Sequence, residues 1–174
     1  MSNFDGGVMI NYIEKGPGLV DAIMRAGHWL VRGSFGWETS NDAAVQSIID
    51  NYTLDQAKAY RCAEVLAKSR ELRDTVTAAV APGEMASWPI KRDEAIEYGK
   101  VGELAPCPAL RAEAGARQIT LAQLVAKVNA NAARFMAAEA AIGGTDGRHR
   151  DAINALTTFD AVAAYDITAG WPVF

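Results

Sequence analysis

The sequence is poor in the residues that most often carry acid–base, redox and metal chemistry. Its 174 residues include only two cysteines, Cys62 and Cys107, and two histidines, His28 and His149. The cysteines lack the close spacing of a metal site, so two free thiols in a reducing cytosol are expected rather than a disulfide. The histidines share no predicted helix face with each other or with a carboxylate. We therefore expect structural or solvated histidines, and neither a metal ion nor a cofactor.

The two thiols occur in different sequence contexts. Cys62 falls on the apolar stripe of a predicted helix, where a small hydrophobic side chain is usual. Cys107 lies between two prolines and is expected to be the more exposed thiol. Because Glu103 and Glu113 would raise its pKa, Cys107 is not expected to act as a nucleophile.

Long apolar runs and an excess of positive charge are also missing. No segment approaches the roughly 18 consecutive apolar residues that span a bilayer, and the first seven residues do not resemble a secretory signal. The 17 basic and 21 acidic side chains give a formal net charge of −4, which does not suit a surface that neutralises phosphates. We predict a protein folded in the cytoplasm, with neither a membrane nor a nucleic acid as partner.

Two glycine clusters, residues 16–18 and 143–147, precede predicted helices. Neither supplies the lysine and hydroxyl residue that a phosphate-binding loop needs at fixed positions. The second cluster is interpreted as a turn between two helices, with an anion-binding nest beside Arg148 and Arg150 as the alternative. No serine occupies a nucleophile elbow. The sequence therefore predicts that the protein is not an enzyme.

Strand and turn signals are concentrated in residues 1–52. They predict, in order, a strand, a helix, a hairpin and a second helix, at residues 8–13, 19–26, 28–39 and 41–52. The hairpin surrounds the four-residue connection Gly33-Ser34-Phe35-Gly36, and Ser40 or Asn41 can cap the helix that follows. This part of the chain is predicted to form a small β-α-β-β-α lobe that ends near Tyr52.

Residues 53–174 carry almost entirely helical signals. The sequences Thr53-Leu54-Asp55-Gln56 and Thr120-Leu121-Ala122-Gln123 are capping boxes that open two of the helices. The predicted helices are residues 53–80, 87–98, 109–116, 120–142, 148–156 and 158–165. The first has a narrow apolar stripe that suits packing on a sheet or a seam between copies of the chain. The predicted fold is therefore α+β and mainly α, with the small lobe at residues 1–52 and a bundle of antiparallel helices at residues 53–174.

Two of these helix boundaries depend on proline and glycine. Pro89 is interpreted as a residue of the first turn of the helix at residues 87–98. Gly143-Gly144 is interpreted as the end of the helix that begins at Thr120. Within that helix, the apolar spacing predicts one buried face from Leu124, Val128, Phe135 and Met136.

Aromatic residues gather at two places, around the predicted hairpin and after the last helix. A small lobe rarely buries several aromatic side chains by itself, and such residues are enriched in the hot spots of interfaces. The candidate interface residues are Trp29, Phe35, Trp37, Trp171 and Phe174. The alternative is that the C-terminal tail folds back to cover the hairpin.

Spaced positions in residues 87–158 form a recognisable pattern, which opens with Ser87-Trp88-Pro89-Ile90-Lys91-Arg92-Asp93-Glu94-Ala95 followed by Tyr98. This segment resembles TWP-x-Q-x-x-EA-x-x-Y, the opening of a helical domain found in small phage and prophage proteins. The P-L-L and A-R-G-I motifs of that domain are similar to segments that begin at Pro108 and Ala116, and its L … K-x-x-x-x-A-x-x-F order is similar to the segment from Leu124 to Phe135. The sequence departs from the pattern at Gln118, where glycine is favoured, and at residues 144–147, where the turn is longer.

Proteins with this domain are commonly encoded near the tail-fibre or baseplate genes of tailed bacteriophages, and the family has no established site to carry over. The resemblance implies a non-enzymatic structural component of the virion, made in the host bacterial cytoplasm. Its implied partners are other phage structural proteins of the tail, baseplate or fibre, or further copies of itself. A tail-fibre assembly chaperone is the alternative, and a small enzyme carried by the tail is the second.

Overall fold

The computed structural model describes residues 15–34 and 36–174, which form seven α-helices, one 3-10 helix and a two-stranded antiparallel sheet. In chain order these are α1 (Leu19–Arg25), β1 (Leu30–Gly33), β2 (Gly36–Thr39), α2 (Asp42–Asn51), α3 (Leu54–Thr77), α4 (Pro82–Val101), the 3-10 helix (Gly102–Leu104), α5 (Pro108–Arg117), α6 (Leu121–Ala155) and α7 (Phe159–Ala164). The predicted α+β, mainly α class is confirmed. The strand predicted at residues 8–13 lies outside the described residues. Of the helices in the described part of the chain, none combines the length and apolarity needed to cross a membrane.

The chain divides into two compact units. Unit 1 comprises Met1–Ser69 and Thr145–Gly170, and unit 2 comprises Arg70–Gly144 and Trp171–Phe174. The long helices α3 and α6 therefore contribute residues to both units. The end of the small lobe predicted near Tyr52 does not coincide with a boundary between these two units. It stays a prediction.

Unit 1 has its core around α1, α2 and the hairpin. The hairpin pairs Leu30 with Thr39 and Gly33 with Gly36, so its connection has two residues rather than the predicted four. Helix α1 packs against both α2 and β1. Among the described residues, the core consists of eight buried side chains from five elements and the residue after α2: Leu19, Ile23, Leu30, Val45, Ile49, Tyr52, Ala57 and Val162.

Local capping signals identified helix starts correctly. In the first capping box, the Thr53 N–H donates to Gln56 Oε1 at 2.7 Å and the Gln56 N–H donates to Thr53 Oγ1 at 3.3 Å. The Thr120 and Gln123 pair forms the same reciprocal bonds at 2.9 and 3.1 Å. Asn41 caps α2 through its side-chain oxygen. These bonds satisfy amide donors that have no partner within the helix.

Helix α6 corrects the prediction that a helix ends at Gly143-Gly144. It is a single helix of 35 residues, and the predicted turn at residues 143–147 is wrong. Buried residues continue along one face on both sides of the glycines: Ile142, Asp146, His149 and Ile153. Burial of this face outweighs the cost of about 0.5–1 kcal/mol that each glycine adds within a helix. Since the backbone here is helical, the alternative of an anion-binding nest is also wrong.

Helix α4 corrects the interpretation of Pro89. The helix begins at Pro82, which occupies the first turn, and Pro89 lies inside it. Proline suits the first turn because the amide donor that it lacks has no helical partner there. Helix α4 also extends to Val101, beyond the predicted end at Tyr98. Helix α3, by contrast, is shorter than predicted, since it ends at Thr77 rather than Val80.

Unit 2 is organised by the contact between α4 and α5. The Glu94 carboxylate on α4 accepts hydrogen bonds from the N–H groups of Ala109, at 3.0 Å, and Leu110, at 2.8 Å. It thereby caps α5 from a neighbouring helix. The core beside this bond contains eight buried side chains: Ala95, Ala105, Cys107, Leu110, Ala114, Leu121, Leu124 and Val125.

Replacing Glu94 by glutamine is expected to lower the free energy of unfolding by about 1–3 kcal/mol, because bonds to a charged acceptor are the stronger kind. Urea denaturation followed by circular dichroism measures the loss. Glu97→Gln is the matched control, since the Glu97 carboxylate contacts the exposed Lys100, and a surface change of this kind costs within about 0.5 kcal/mol. Equal losses in the two variants would contradict the capping role.

Candidate protein-binding groove

An open groove with a volume of about 1080 Å³ lies within unit 2. We call it the unit 2 groove. Its walls come from the end of α3, from α4, from the last residues of α5 and from α6, and Phe174 adds to its rim. Its main apolar lining residues are Val76, Val80, Met85, Trp88, Ile96, Leu124, Val128, Phe135, Met136 and Phe174.

The floor of the groove is aromatic. The rings of Trp88 on α4 and Phe135 on α6 meet edge to face, with centroids 5.4 Å apart and an interplanar angle of 72°. This is a favoured geometry for an aromatic pair. Around it, Ile96 is 47% exposed, Met136 is 53% exposed and Phe174 is 56% exposed. Large apolar side chains therefore remain accessible to a second molecule.

The predicted buried face of α6 is only partly correct. Leu124 is buried in the unit 2 core, while Val128 and Phe135 are half-buried and Met136 is exposed. The difference has a simple physical reason, since the face packs into the unit 2 core near its start and opens into the groove farther along. Sequence periodicity gives the apolar face but not how far a neighbouring element covers it.

Charged side chains surround this apolar floor. The groove is lined by five basic and three acidic residues, a net side-chain charge of +2: Lys91, Arg92, Arg117, Lys127 and Arg134, with Glu84, Asp93 and Glu113. Glu113 binds Lys91 at 2.7 Å and Arg117 at 3.0 Å. Among the described residues, no ion pair involves Arg92, Lys127 or Arg134. Nothing in the sequence pattern links these three cations, because they belong to helices that are brought together only by folding.

Four of the five predicted interface residues lie in the described part of the chain, and their environments differ. Trp37 packs against the unit 1 core, whereas Trp29 is 48% exposed. Trp171 is half-buried, and Phe174 lines the unit 2 groove. Phe35 lies outside the described residues. Of the described four, Phe174 is therefore the one in the groove, and the interface role of the set stays a prediction.

His149 has a structural environment. It is 3% exposed, with Nδ1 2.9 Å from the Tyr165 hydroxyl and Nε2 2.9 Å from the Ala169 carbonyl oxygen. The carbonyl can only accept, so Nε2 donates to it and, in the neutral ring, Nδ1 accepts from Tyr165. His149 lies inside the continuous helix α6 rather than at the start of a separate helix at residues 148–156. His28 is half-buried, with Nδ1 3.1 Å from the Ser40 hydroxyl.

The prediction that Cys107 is the more exposed thiol is wrong. Cys107 is 1% exposed in the unit 2 core, and its Sγ donates to the Glu94 carbonyl oxygen at 3.2 Å. Burial raises the pKa of the Cys107 thiol, and the Glu94 carboxylate raises it further. Cys62 is half-buried, and burial raises its pKa too, with Arg150 acting in the opposite direction. Both thiols are thus poor nucleophiles near neutral pH.

Cys62 is expected to react with a thiol reagent in the native protein, slowly at neutral pH and faster as pH rises, because the thiolate is the reacting form. Cys107 is expected to react only after unfolding, because its sulfur is buried. Counting modified thiols by mass spectrometry checks both statements. The Cys62→Ser variant should lose native-state labelling and Cys107→Ser should keep it; the reverse pattern would show that the burial is misassigned.

Chemically, the unit 2 groove can receive apolar side chains and hold negative charge at its rim. Among the described residues that line it, none is a histidine or a cysteine. Within residues 15–34 and 36–174, no three or more histidine, cysteine, aspartate or glutamate side chains are grouped so as to hold a metal ion. Comparisons of the chain with protein-family models, with curated proteins and with solved structures find no match.

Proposed function

We propose that the protein is a non-enzymatic structural component of a tailed-bacteriophage particle, associated with the tail, baseplate or tail fibre, where it binds another structural subunit. The phage context comes from the resemblance of residues 87–158 to a domain of small phage proteins. The binding role is supported by one observation, the unit 2 groove with its accessible apolar floor.

The groove supports binding because of what it leaves exposed. Trp88 and Phe135 form an edge-to-face aromatic pair in the groove, and Ile96, Met136 and Phe174 are about half exposed. Contiguous apolar surface rimmed by polar residues is typical of interaction sites, and aromatic and arginine side chains dominate the energetics of interfaces. A partner that covers this floor would remove apolar area from water, which is the main driving force for association.

Quantitative mass spectrometry of purified phage particles tests the proposal. We expect the protein in particles at a fixed ratio to a tail protein, after purification steps that remove an abundant host cytoplasmic protein used as a contamination marker. A protein that is abundant in the infected cell but absent from particles would overturn the structural role and favour the assembly chaperone. A constant ratio through successive purification steps supports the proposal.

A further inference from the structure

We infer that the unit 2 groove receives an amphipathic α-helix with an acidic rim, supplied by the partner subunit. This inference rests on the proposed function in that the protein acts by binding another chain. It goes further by stating the shape and charge of the segment that is bound.

The length of the groove suits a helix. Its lining residues on α4 run from Glu84 to Ile96, and those on α6 run from Leu124 to Ala138. At about 1.5 Å per residue these stretches are roughly 18–21 Å long, the length of a bound helix of three to four turns. An elongated apolar floor is the usual receptor for a helix that presents anchors at i, i+3, i+4 and i+7.

The charged side chains that line the groove indicate which charges the bound helix should have beside its apolar face. The chain as a whole has a net charge of −4, yet the side chains that line the groove have a net charge of +2. Of the cations that line the groove, Lys91 and Arg117 pair with Glu113. The others are Arg92 on α4 and Lys127 and Arg134 on α6. Helices α4 and α6 thus each present a cation beside the apolar floor. Glutamate or aspartate next to the apolar face of a bound helix would pair with them, and complementary charge of this kind sets partner choice.

Two synthetic peptides test the inference on the full-length protein. Both are sixteen-residue helices with the same leucine face; one has a glutamate rim and the other a lysine rim. Isothermal titration calorimetry is expected to show that the glutamate peptide binds more tightly, by a factor on the order of ten at low salt. The preference should shrink at high salt, because exposed charges are screened.

Two pairs of variants locate the binding site. Met136→Glu should weaken the binding of the glutamate peptide by roughly tenfold or more, because it places a negative charge in the groove beside the negative rim of the peptide. Met24→Glu in unit 1 is its control, since Met24 is 54% exposed and Met136 is 53% exposed. Arg134→Glu should reduce the preference for the glutamate peptide, whereas Arg70→Glu, an exposed position outside the groove lining, should leave it unchanged. Circular dichroism confirms that each variant is folded.

Several results would overturn the inference. These are equal or tighter binding of the lysine peptide, no saturable binding of either peptide, and equal weakening by Met24→Glu and Met136→Glu. Binding of dodecanoate, but of neither peptide, would assign the groove to a small amphipathic anion instead. The particle measurement is independent of these results: a protein that binds the glutamate peptide but is absent from particles loses the proposed virion role and keeps the helix-binding groove.

Discussion

Replacing Gly18 by alanine is expected to lower the free energy of unfolding by about 2–5 kcal/mol, because two separate costs add. The backbone at Gly18 has φ +87°, which is unfavourable for a residue with a side chain. A Cβ atom there would lie 2.6 Å from the Tyr52 hydroxyl and 2.6 Å from Cγ of Tyr60. The Tyr52 hydroxyl also donates to the Pro17 carbonyl oxygen at 2.6 Å, so moving the Tyr52 ring aside would break a hydrogen bond at the edge of the unit 1 core.

Gly27 provides the control for this substitution. It has φ +82°, but a Cβ atom added there would have no neighbour within 4 Å. Gly27→Ala should therefore cost only the backbone term, about 1–2 kcal/mol. Urea denaturation of both variants isolates the steric contribution as their difference. Equal losses would show that Tyr52 and Tyr60 can move aside without cost.

Replacing Leu124 by alanine is expected to cost about 2–5 kcal/mol, the range for removing a large side chain from a packed core. Leu124 is 1% exposed and belongs to the unit 2 core together with Leu110 and Leu121. The loss combines the transfer free energy of the removed atoms with the cavity that they leave. Thermal and urea denaturation measure it, and a loss below about 1 kcal/mol would mean that the site is not packed as described.

Met136→Ala is the matched control on the same helix. Met136 is 53% exposed in the unit 2 groove, so its truncation should change stability by no more than about 0.5 kcal/mol. The contrast between the two positions tests the division of the α6 face into a packed part and an open part. Comparable losses would show that the groove is filled in the isolated protein.

The helix starts that carry a threonine cap could be predicted from the sequence because capping is local, whereas the start of α4 at Pro82 could not. Thr53, Thr120 and Thr158 each accept an N–H three residues ahead through the side-chain hydroxyl. Such bonds form between residues close together in the chain, so the local order of residues reveals them. The hairpin was predictable for the same reason, since its two strands are separated by a short turn.

The predictions of one helix end and of the exposure of Cys107 were wrong because both depend on contacts with residues distant in the sequence. Gly143-Gly144 favours a helix end by propensity, but the buried face that includes Ile142 and His149 keeps α6 continuous. Cys107 looked exposed because of its proline neighbours, although the contact of α4 with α5 buries it. Propensity is a weak prior that tertiary packing overrides in such places.

The unit 2 groove could not be predicted from the sequence at all. Trp88 and Phe135 are far apart along the chain, and the cations Arg92 and Arg134 gain a common role only when α4 and α6 line the same groove. The sequence did indicate Phe174 as an interface candidate, because aromatic residues are enriched in the hot spots of interfaces. The structure places Phe174 in the lining of the unit 2 groove.

The unbroken course of α6 has a consequence for local dynamics. Gly143 and Gly144 are exposed and have no side chains to pack on neighbouring turns, and each costs about 0.5–1 kcal/mol relative to alanine. Ile142 and His149 on the flanking turns are buried but belong to neither the unit 1 nor the unit 2 core cluster, whereas Leu124 is part of the unit 2 core. We therefore expect a lower free energy of opening for the turns around the glycines than for those around Leu124. Amide protons near the glycines should exchange with solvent faster than those around Leu124. A protease that needs an extended substrate would find its easiest entry into this long helix at the same place.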